Sequence, residues 1–121
     1  MSEIVDKAAA ILGNAYAPYS SYHVAAVVRT RDGREFGGIN VESAAYPLGV
    51  CAEKVAIAAA ATAGYKPGDI VEMGITASPC GGCRQWLFEW RIPSVSFRRG
   101  DGTIATYAAA DLLPDTWELP E

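Results

Sequence analysis

Histidine and cysteine are scarce in this chain of 121 residues: His23 stands alone, and the only thiols are Cys51, Cys80 and Cys83. An odd cysteine count argues against a framework of paired disulfides and suits thiols that stay free or bind metal in a reducing compartment. Basic residues are few as well. Ten Lys and Arg face fourteen Asp and Glu, a net charge of −4, and the sequence pI is about 4.9. Such a chain repels phosphate backbones, so nucleic acid is not an expected partner. No apolar run approaches the ~20 residues that span a bilayer. The opening "MSEIVDKAAAILGNAY" is amphipathic and acidic near its start, unlike a secretory leader. A cytoplasmic protein without a membrane partner is the expectation. Repeats, linkers and low-complexity tracts are missing too. Half the residues are hydrophobic, enough for one core, so residues 1–121 read as a single domain.

The pattern of apolar residues supplies the elements. Ile4, Ala8, Ile11, Leu12 and Ala15 share a helical face, which predicts a helix over 3–16 ended by Pro18. "YHVAAVVRT" and "REFGGINV" flank Asp32-Gly33 and predict a β-hairpin. A helix follows from about residue 50 to Gly64, then a strand in "DIVEMGITA". Ser78 and Pro79 suit the N-cap and first position of a helix running to about Arg91. "SVSFRR" and "TIATYA" predict two short strands, and "AADLLP" a closing helix. The order αββαβαββα predicts an α/β fold, a mixed five-stranded sheet with helices on both faces.

Cys80 and Cys83 fall three apart on the first turn of one helix, with their sulfurs to one side. Cys51 opens another helix. If those two helix starts converge, three thiolates can hold one ion, and zinc suits sulfur in tetrahedral geometry without redox chemistry. Helix N-termini offset the negative charge of such a centre. Lys54 and Arg84 lie beside the ligands and add positive charge, while Gly81 and Gly82 leave the backbone open to the sulfurs. A structural zinc site closes with four protein ligands, whereas a catalytic one keeps a position for water. His23, in the middle of "SYHVA", is the one residue that could close it. Without it the site stays open, and Glu53, two residues after Cys51, gains a role. Zinc lowers the pKa of a bound water to about 7, so a carboxylate nearby can take its proton and pass it on. That is a hydrolytic design.

At these residues the chain resembles the cytidine deaminase family, the small homotetrameric zinc enzymes of nucleoside salvage. "CAE" and "SPCGGCRQ" match its three-cysteine form, in which a glutamate shuttles protons. "APYSSYHV", "GINVESAAYPLGVCAEKVAI" and "DLLPDTW" extend the likeness to nearly the whole chain. The resemblance implies the three-layer α/β/α sandwich of that family. It also implies one Zn²⁺ per chain on Cys51, Cys80 and Cys83, with Glu53 as proton carrier in the hydrolytic deamination of cytidine and 2′-deoxycytidine to the uridine product and ammonia. It assigns Asn40 and Glu42 to the ribose, and residues two apart on an extended segment face the same way. It places Tyr22 near the pyrimidine ring and the backbone around Ser78 at the substrate amine. Tyr46 and Trp117 match positions that reach a neighbouring subunit's site, which implies a homotetramer with active sites at its interfaces.

The chain departs from the family pattern in places. Lys54 and Ser43 stand where relatives usually carry arginine and asparagine, and lysine lacks the planar fork of arginine. "GITASPC" runs from strand to metal helix without several residues that relatives insert, which leaves the pocket more open to modified cytosines. Trp117 replaces the usual phenylalanine. Other functions follow from other weightings of the same residues: a deaminase of another aminopyrimidine, resembling blasticidin S deaminase, or a zinc-stabilised binding module without turnover. A redox C-x-x-C protein leaves Cys51 and Glu53 unexplained.

Overall fold

The computed structural model describes residues 2–120. Its first helix, α1 (Glu3–Ala10), is capped by Ser2, whose hydroxyl accepts from the Val5 N–H at 3.3 Å. The helix ends earlier than expected. The chain turns at Ile11 into a single 3₁₀ turn, Leu12–Asn14, because Gly13 and Asn14 favour helix poorly. Strands β1 (Ala25–Thr30) and β2 (Glu35–Ile39) form the antiparallel hairpin, with Gly33 at φ 88° in its turn. β1 is shorter than its apolar stretch suggested, and Tyr22, His23 and Val24 lie outside it. After a 3₁₀ turn at Tyr46–Leu48 come α2 (Ala52–Thr62), β3 (Ile70–Ile75), α3 (Gly81–Glu89), β4 (Val95–Arg98), β5 (Ile104–Tyr107) and α4 (Ala109–Leu112).

The sheet order is β2-β1-β3-β4-β5. β3 and β4 pair in parallel with α3 as their crossover, and the other neighbours pair antiparallel. Alternation along β1 sorts the two faces. Ala25 and Val27 join Ile4 and Ala8 of α1 on one side. Ala26 and Val28 face the larger cluster of Ala56, Ile57 and Ala60 from α2, Leu87 from α3 and Leu112 from α4. The result is the expected three-layer arrangement.

Glycine sets the depth of both helix layers. A Cβ on Gly38 would stand 2.4 Å from the Ala56 nitrogen and 2.5 Å from the Ala52 carbonyl oxygen, so α2 rests directly on β2. A Cβ on Gly74 would meet the Ile4 carbonyl carbon at 2.5 Å, which seats α1 on β3 in the same way.

Candidate metal centre and active site

The N-termini of α2 and α3 converge, and cysteine occupies the N-cap of each. Cys51 and Cys80 have extended backbones, at φ −74° and −71°, and neither side chain caps its helix. Cys83 projects from the first turn of α3 and is fully buried. The three Sγ atoms all lie within 4.8 Å of one another, with Cys51 and Cys80 4.0 Å apart. Three sulfurs at about 2.3 Å from one tetrahedral ion stand about 3.8 Å apart. The thiols therefore fit a zinc ion with little adjustment.

The surroundings treat the three thiols differently. Burial works to raise Cys80, yet the backbone N–H groups of Cys83 and Gly82 and the neighbouring thiols outweigh it, and its pKa falls below the ordinary value. This is the helix N-terminus favouring a thiolate. Burial raises Cys51, and it raises Cys83 strongly, with the Glu53 carboxylate adding to the effect. A cation among the sulfurs supplies the charge these thiols lack when ionised together.

Glu53 lies one residue inside α2 and is only 3 % exposed. Burial raises its pKa, opposed by its own backbone N–H and the Cys83 thiol. It borders a cleft of about 240 Å³ whose walls include Cys51, Cys80, Tyr22, Asn40 and Ser78. Thiols, buried carboxyl and cleft thus occupy one corner of the molecule. His23 is exposed and stands outside the thiol cluster.

Two expectations about the start of α3 are corrected. Cys80, not Ser78, is its N-cap, and Pro79 precedes the cap rather than opening the helix. The cap position is given to a sulfur, and Ser78 becomes an exposed residue of the cleft wall. Arg84 has backbone partners of its own. Its Nε donates to the Pro79 carbonyl at 2.9 Å and its Nη1 to the Leu112 carbonyl at 3.1 Å, so it braces backbone beside the thiols. Lys54 does come near the sulfurs. A Cβ on Gly82 would touch both Lys54 Nζ, at 3.7 Å, and Cys80 Sγ, at 4.0 Å. The ammonium also sits 5.9 Å from the Trp86 ring centre.

Asn40 and Glu42 fasten the same loop. Asn40 accepts from the Val24 N–H at 2.9 Å and donates to the Tyr22 carbonyl at 2.8 Å. The Glu42 carboxylate accepts from the Tyr19 and Ser20 N–H groups at 3.0 and 3.1 Å, and from the Ser20 hydroxyl. Led by the Ser20 hydroxyl, these bonds hold Glu42 below the usual carboxylate range. Ser20 was not singled out in the sequence, although the pair Ser20-Ser21 beside Pro18-Tyr19 marks a turn. Ser20 also accepts from the Tyr22 N–H at 3.0 Å, and Ser21 takes a left-handed backbone at φ 60°.

Glu42 lines a second cleft, of about 320 Å³, with Tyr19, Ser20, Ser43 and Tyr46. Tyr46 is 74 % exposed and meets Tyr19 edge-on at 5.8 Å. Trp117 is 66 % exposed and lies in a different cleft, against α3, where its carbonyl accepts from Gln85 at 3.5 Å. It does not line the thiol-bearing cleft of its own chain. Among the described residues no helix is long and apolar enough to cross a membrane.

Known proteins resemble this chain in sequence and fold. Residues 1–99 match the family described as cytidine and deoxycytidylate deaminase zinc-binding region. The crystal structure of cytidine deaminase from Burkholderia pseudomallei superposes with a TM-score of 0.89 at 38% identity, over 97% of this chain and 100% of that one. A probable cytidine deaminase of Dictyostelium discoideum is 35% identical over 107 residues, which span 83% of this chain and 71% of the relative. A cytidine deaminase of Halalkalibacterium halodurans is 34% identical over 108 residues, 83% of this chain and 80% of the relative.

Proposed function

This chain belongs to the cytidine and deoxycytidylate deaminase family and is a zinc-dependent deaminase, and from that premise we propose that it hydrolyses cytidine and 2′-deoxycytidine to the uridine products and ammonia. The observation that carries this reading is a buried carboxyl that belongs to the thiol corner yet is not one of its three sulfur donors. Cys51, Cys80 and Cys83 would hold one zinc per chain, and three protein donors would leave a position for water. Bound there, zinc supplies Lewis-acid activation of that water toward neutral pH.

Glu53 does the proton work. It takes one proton from the attacking water and delivers it to N3 of the ring, then carries the second to the departing amine. Burial keeps its carboxyl more basic than a solvated one, which suits a group that must both accept and donate near neutrality. The cleft wall at Ser78 receives the amine, Tyr22 borders the ring, and Asn40 with Glu42 receives the ribose. The hydrogen bonds that already fix those two side chains to residues 19–24 favour a pre-set sugar site, with little ordering left to do on binding. Lys54 offsets thiolate charge from beside Cys80.

The reading extends to assembly. Tyr46, Leu48, Trp117 and Leu119 leave large apolar groups on the surface, and such patches favour contact with other chains. A homotetramer, each chain one domain, would let Tyr46 and Trp117 complete a neighbour's site. Three free cysteines favour a reducing, cytoplasmic setting, and the deamination of free nucleosides proposed above fits a part in pyrimidine salvage.

The test is to incubate the metal-analysed protein with cytidine and follow the absorbance change as cytosine becomes uracil. Turnover at about one zinc per chain, in line with the three-sulfur site, supports the reading, provided that Glu53→Ala loses the turnover and keeps the zinc. Full zinc with no turnover of either nucleoside overturns it.

A further inference from the structure

Three arginines in and beside the β1–β2 hairpin have partners that answer their charge. Arg29 pairs with Glu3, Glu35 and Glu72, and Arg31 with Asp69. Arg34 lies over the Phe36 and Tyr65 rings, at 4.9 and 5.8 Å from their centres. Arg84 and Arg99 differ. Among the described residues neither forms an ion pair with a carboxylate, yet both wall one cleft of about 320 Å³. In a chain of net charge −4, two uncompensated guanidiniums in one concavity make a local site of positive potential.

The wall of this cleft is mostly polar and rich in donors, with the Ser78 and Tyr107 hydroxyls beside the two arginines. Arg84 is half-buried and held in advance. Its Nε donates to the Pro79 carbonyl and its Nη1 to the Leu112 carbonyl, which leaves Nη2 without an acceptor among the described residues. Carbonyl oxygens fix the guanidinium without cancelling its charge. Arg99 is exposed and spends one N–H on the Tyr107 hydroxyl at 3.2 Å. That oxygen accepts, so the phenolic proton stays available to a ligand. Asp111 is the one carboxylate in the wall, and one negative charge does not cancel two positive ones.

We propose that this cleft binds a phosphoryl group, as inorganic phosphate or as the head of a small phosphate monoester. Guanidinium forks match phosphate oxygens in pairs, and the two hydroxyls donate to the oxygens that are left. Small-molecule sites commonly begin at roughly 300 Å³, so there is room for a few atoms beyond the phosphate. The ligand is not the nucleoside. Backbone of residues 76–79, between β3 and the N-cap of α3, separates this cleft from the thiol-bearing one. No bond is made or broken on binding.

The zinc-loaded protein is titrated by calorimetry with inorganic phosphate, glycerol 3-phosphate and glycerol, at constant ionic strength to fix the screening of exposed charges. Both phosphates should bind with a Kd of about 1 mM, and glycerol should not bind. A tighter monoester identifies the ester as the ligand class, and equal constants identify free phosphate. Arg99→Ala should raise both constants about tenfold by removing a charge-assisted fork, with cytidine turnover in phosphate-free buffer unchanged. Arg99→Lys, which keeps the charge without the fork, should fall between. Asp111→Asn should tighten phosphate about threefold by removing a like charge.

No binding at about 10 mM phosphate overturns the proposal, as does an Arg99→Ala protein with parental constants. Phosphate that competes with cytidine equally in the parent and in Arg99→Ala overturns it too, because the ion then sits at the zinc. Weaker binding in Asp111→Asn would mean that the cleft takes a cation, and the proposal fails.

Discussion

The N-terminus of α1 and those of α2 and α3 meet the same physical problem in opposite ways. Every helix begins with N–H groups that lack an intrahelical partner and with a partial positive charge. α1 satisfies its first turn from within: the Ser2 hydroxyl accepts from Val5, and Glu3 and Asp6 sit in that turn. α2 and α3 put cysteine at the cap and make no side-chain capping bond, and their dipole ends converge on sulfur and on a buried carboxyl. One helix start is spent on stability, and the other two are kept for chemistry. The comparison teaches where to look for function in a small fold: at a helix start whose N–H groups face thiols and a buried carboxyl in place of a capping hydroxyl.

Removing the chemistry from the second pair should have the largest effect. Cys83→Ala deletes a buried sulfur, so bound zinc measured by metal analysis should drop to background and activity with it. Glu53→Gln should separate holding the ion from moving protons. Zinc stays at the parental level while kcat falls by about 10²–10⁴, the usual range for a lost general acid–base group. A Glu53→Gln protein within tenfold of parental kcat would show that the carboxyl only fills space.

The two glycine seats sharpen the contrast. Gly38→Ala and Gly74→Ala each drive a methyl into helix backbone at 2.4–2.5 Å, and each should cost about 3 kcal/mol by denaturant unfolding. Their effects on activity should differ. Lifting α2 at Ala52 and Ala56 displaces Cys51 and Glu53 on the same turn, so the folded Gly38→Ala protein loses turnover. Lifting α1 moves no residue of the thiol corner, and folded Gly74→Ala keeps its specific activity. Equal losses in both would mean that the two faces are mechanically one.

Acidity offers a smaller test on the metal-free protein. Burial raises Glu53 above its ordinary value of 4.5, so the folded state binds its proton more tightly than the unfolded chain does. The resulting stabilisation is complete below the unfolded pKa and is lost as pH rises through the folded one. Unfolding curves from pH 4 upward should show the parent losing stability relative to Glu53→Gln, which carries no such proton. A constant gap across that range would place the carboxyl in contact with solvent.

Much of this corner was legible in the sequence, and the reasons are local. Cys80 and Cys83 share a helix turn, and Cys51 and Glu53 share another, so spacing alone aligned them once two helix starts were recognised. The convergence of those starts is set by sheet order, which spacing does not encode; the resemblance to a known family supplied it. Ser78 was assigned as a cap because serine usually caps, whereas here a metal-site thiol displaced it by two residues. Arg84 was read as a charge for the sulfurs because it is adjacent in sequence, and its bond to the Leu112 carbonyl, which α4 supplies, had no signal there. Ser20 was missed because its partner, Glu42, lies 22 residues on and meets it only after folding. The early end of α1 had a signal in Gly13 and Asn14, overridden by apolar residues that continued the pattern.

The smallest change tests the quieter side of the comparison. Ser2→Ala removes the hydroxyl that accepts from Val5 and leaves one more N–H of α1 without a side-chain partner. Loss of an N-cap typically costs about 1 kcal/mol, and the 3.3 Å bond is long enough to place this one at the lower end. Water can reach Ser2, which is only half-buried, and partly replaces the lost acceptor. The thermal midpoint should therefore fall by a few degrees at most, roughly as expected for a domain of about 100 residues. Zinc content and kcat should not move. Unlike the cysteines of α2 and α3, Ser2 spends its capping group on its own helix, so nothing beyond α1 depends on it. A loss of turnover in Ser2→Ala larger than its loss of stability would mean that α1 transmits its position through β3 to the residues before Cys80. The division between a stabilising helix start and two chemical ones would then fail.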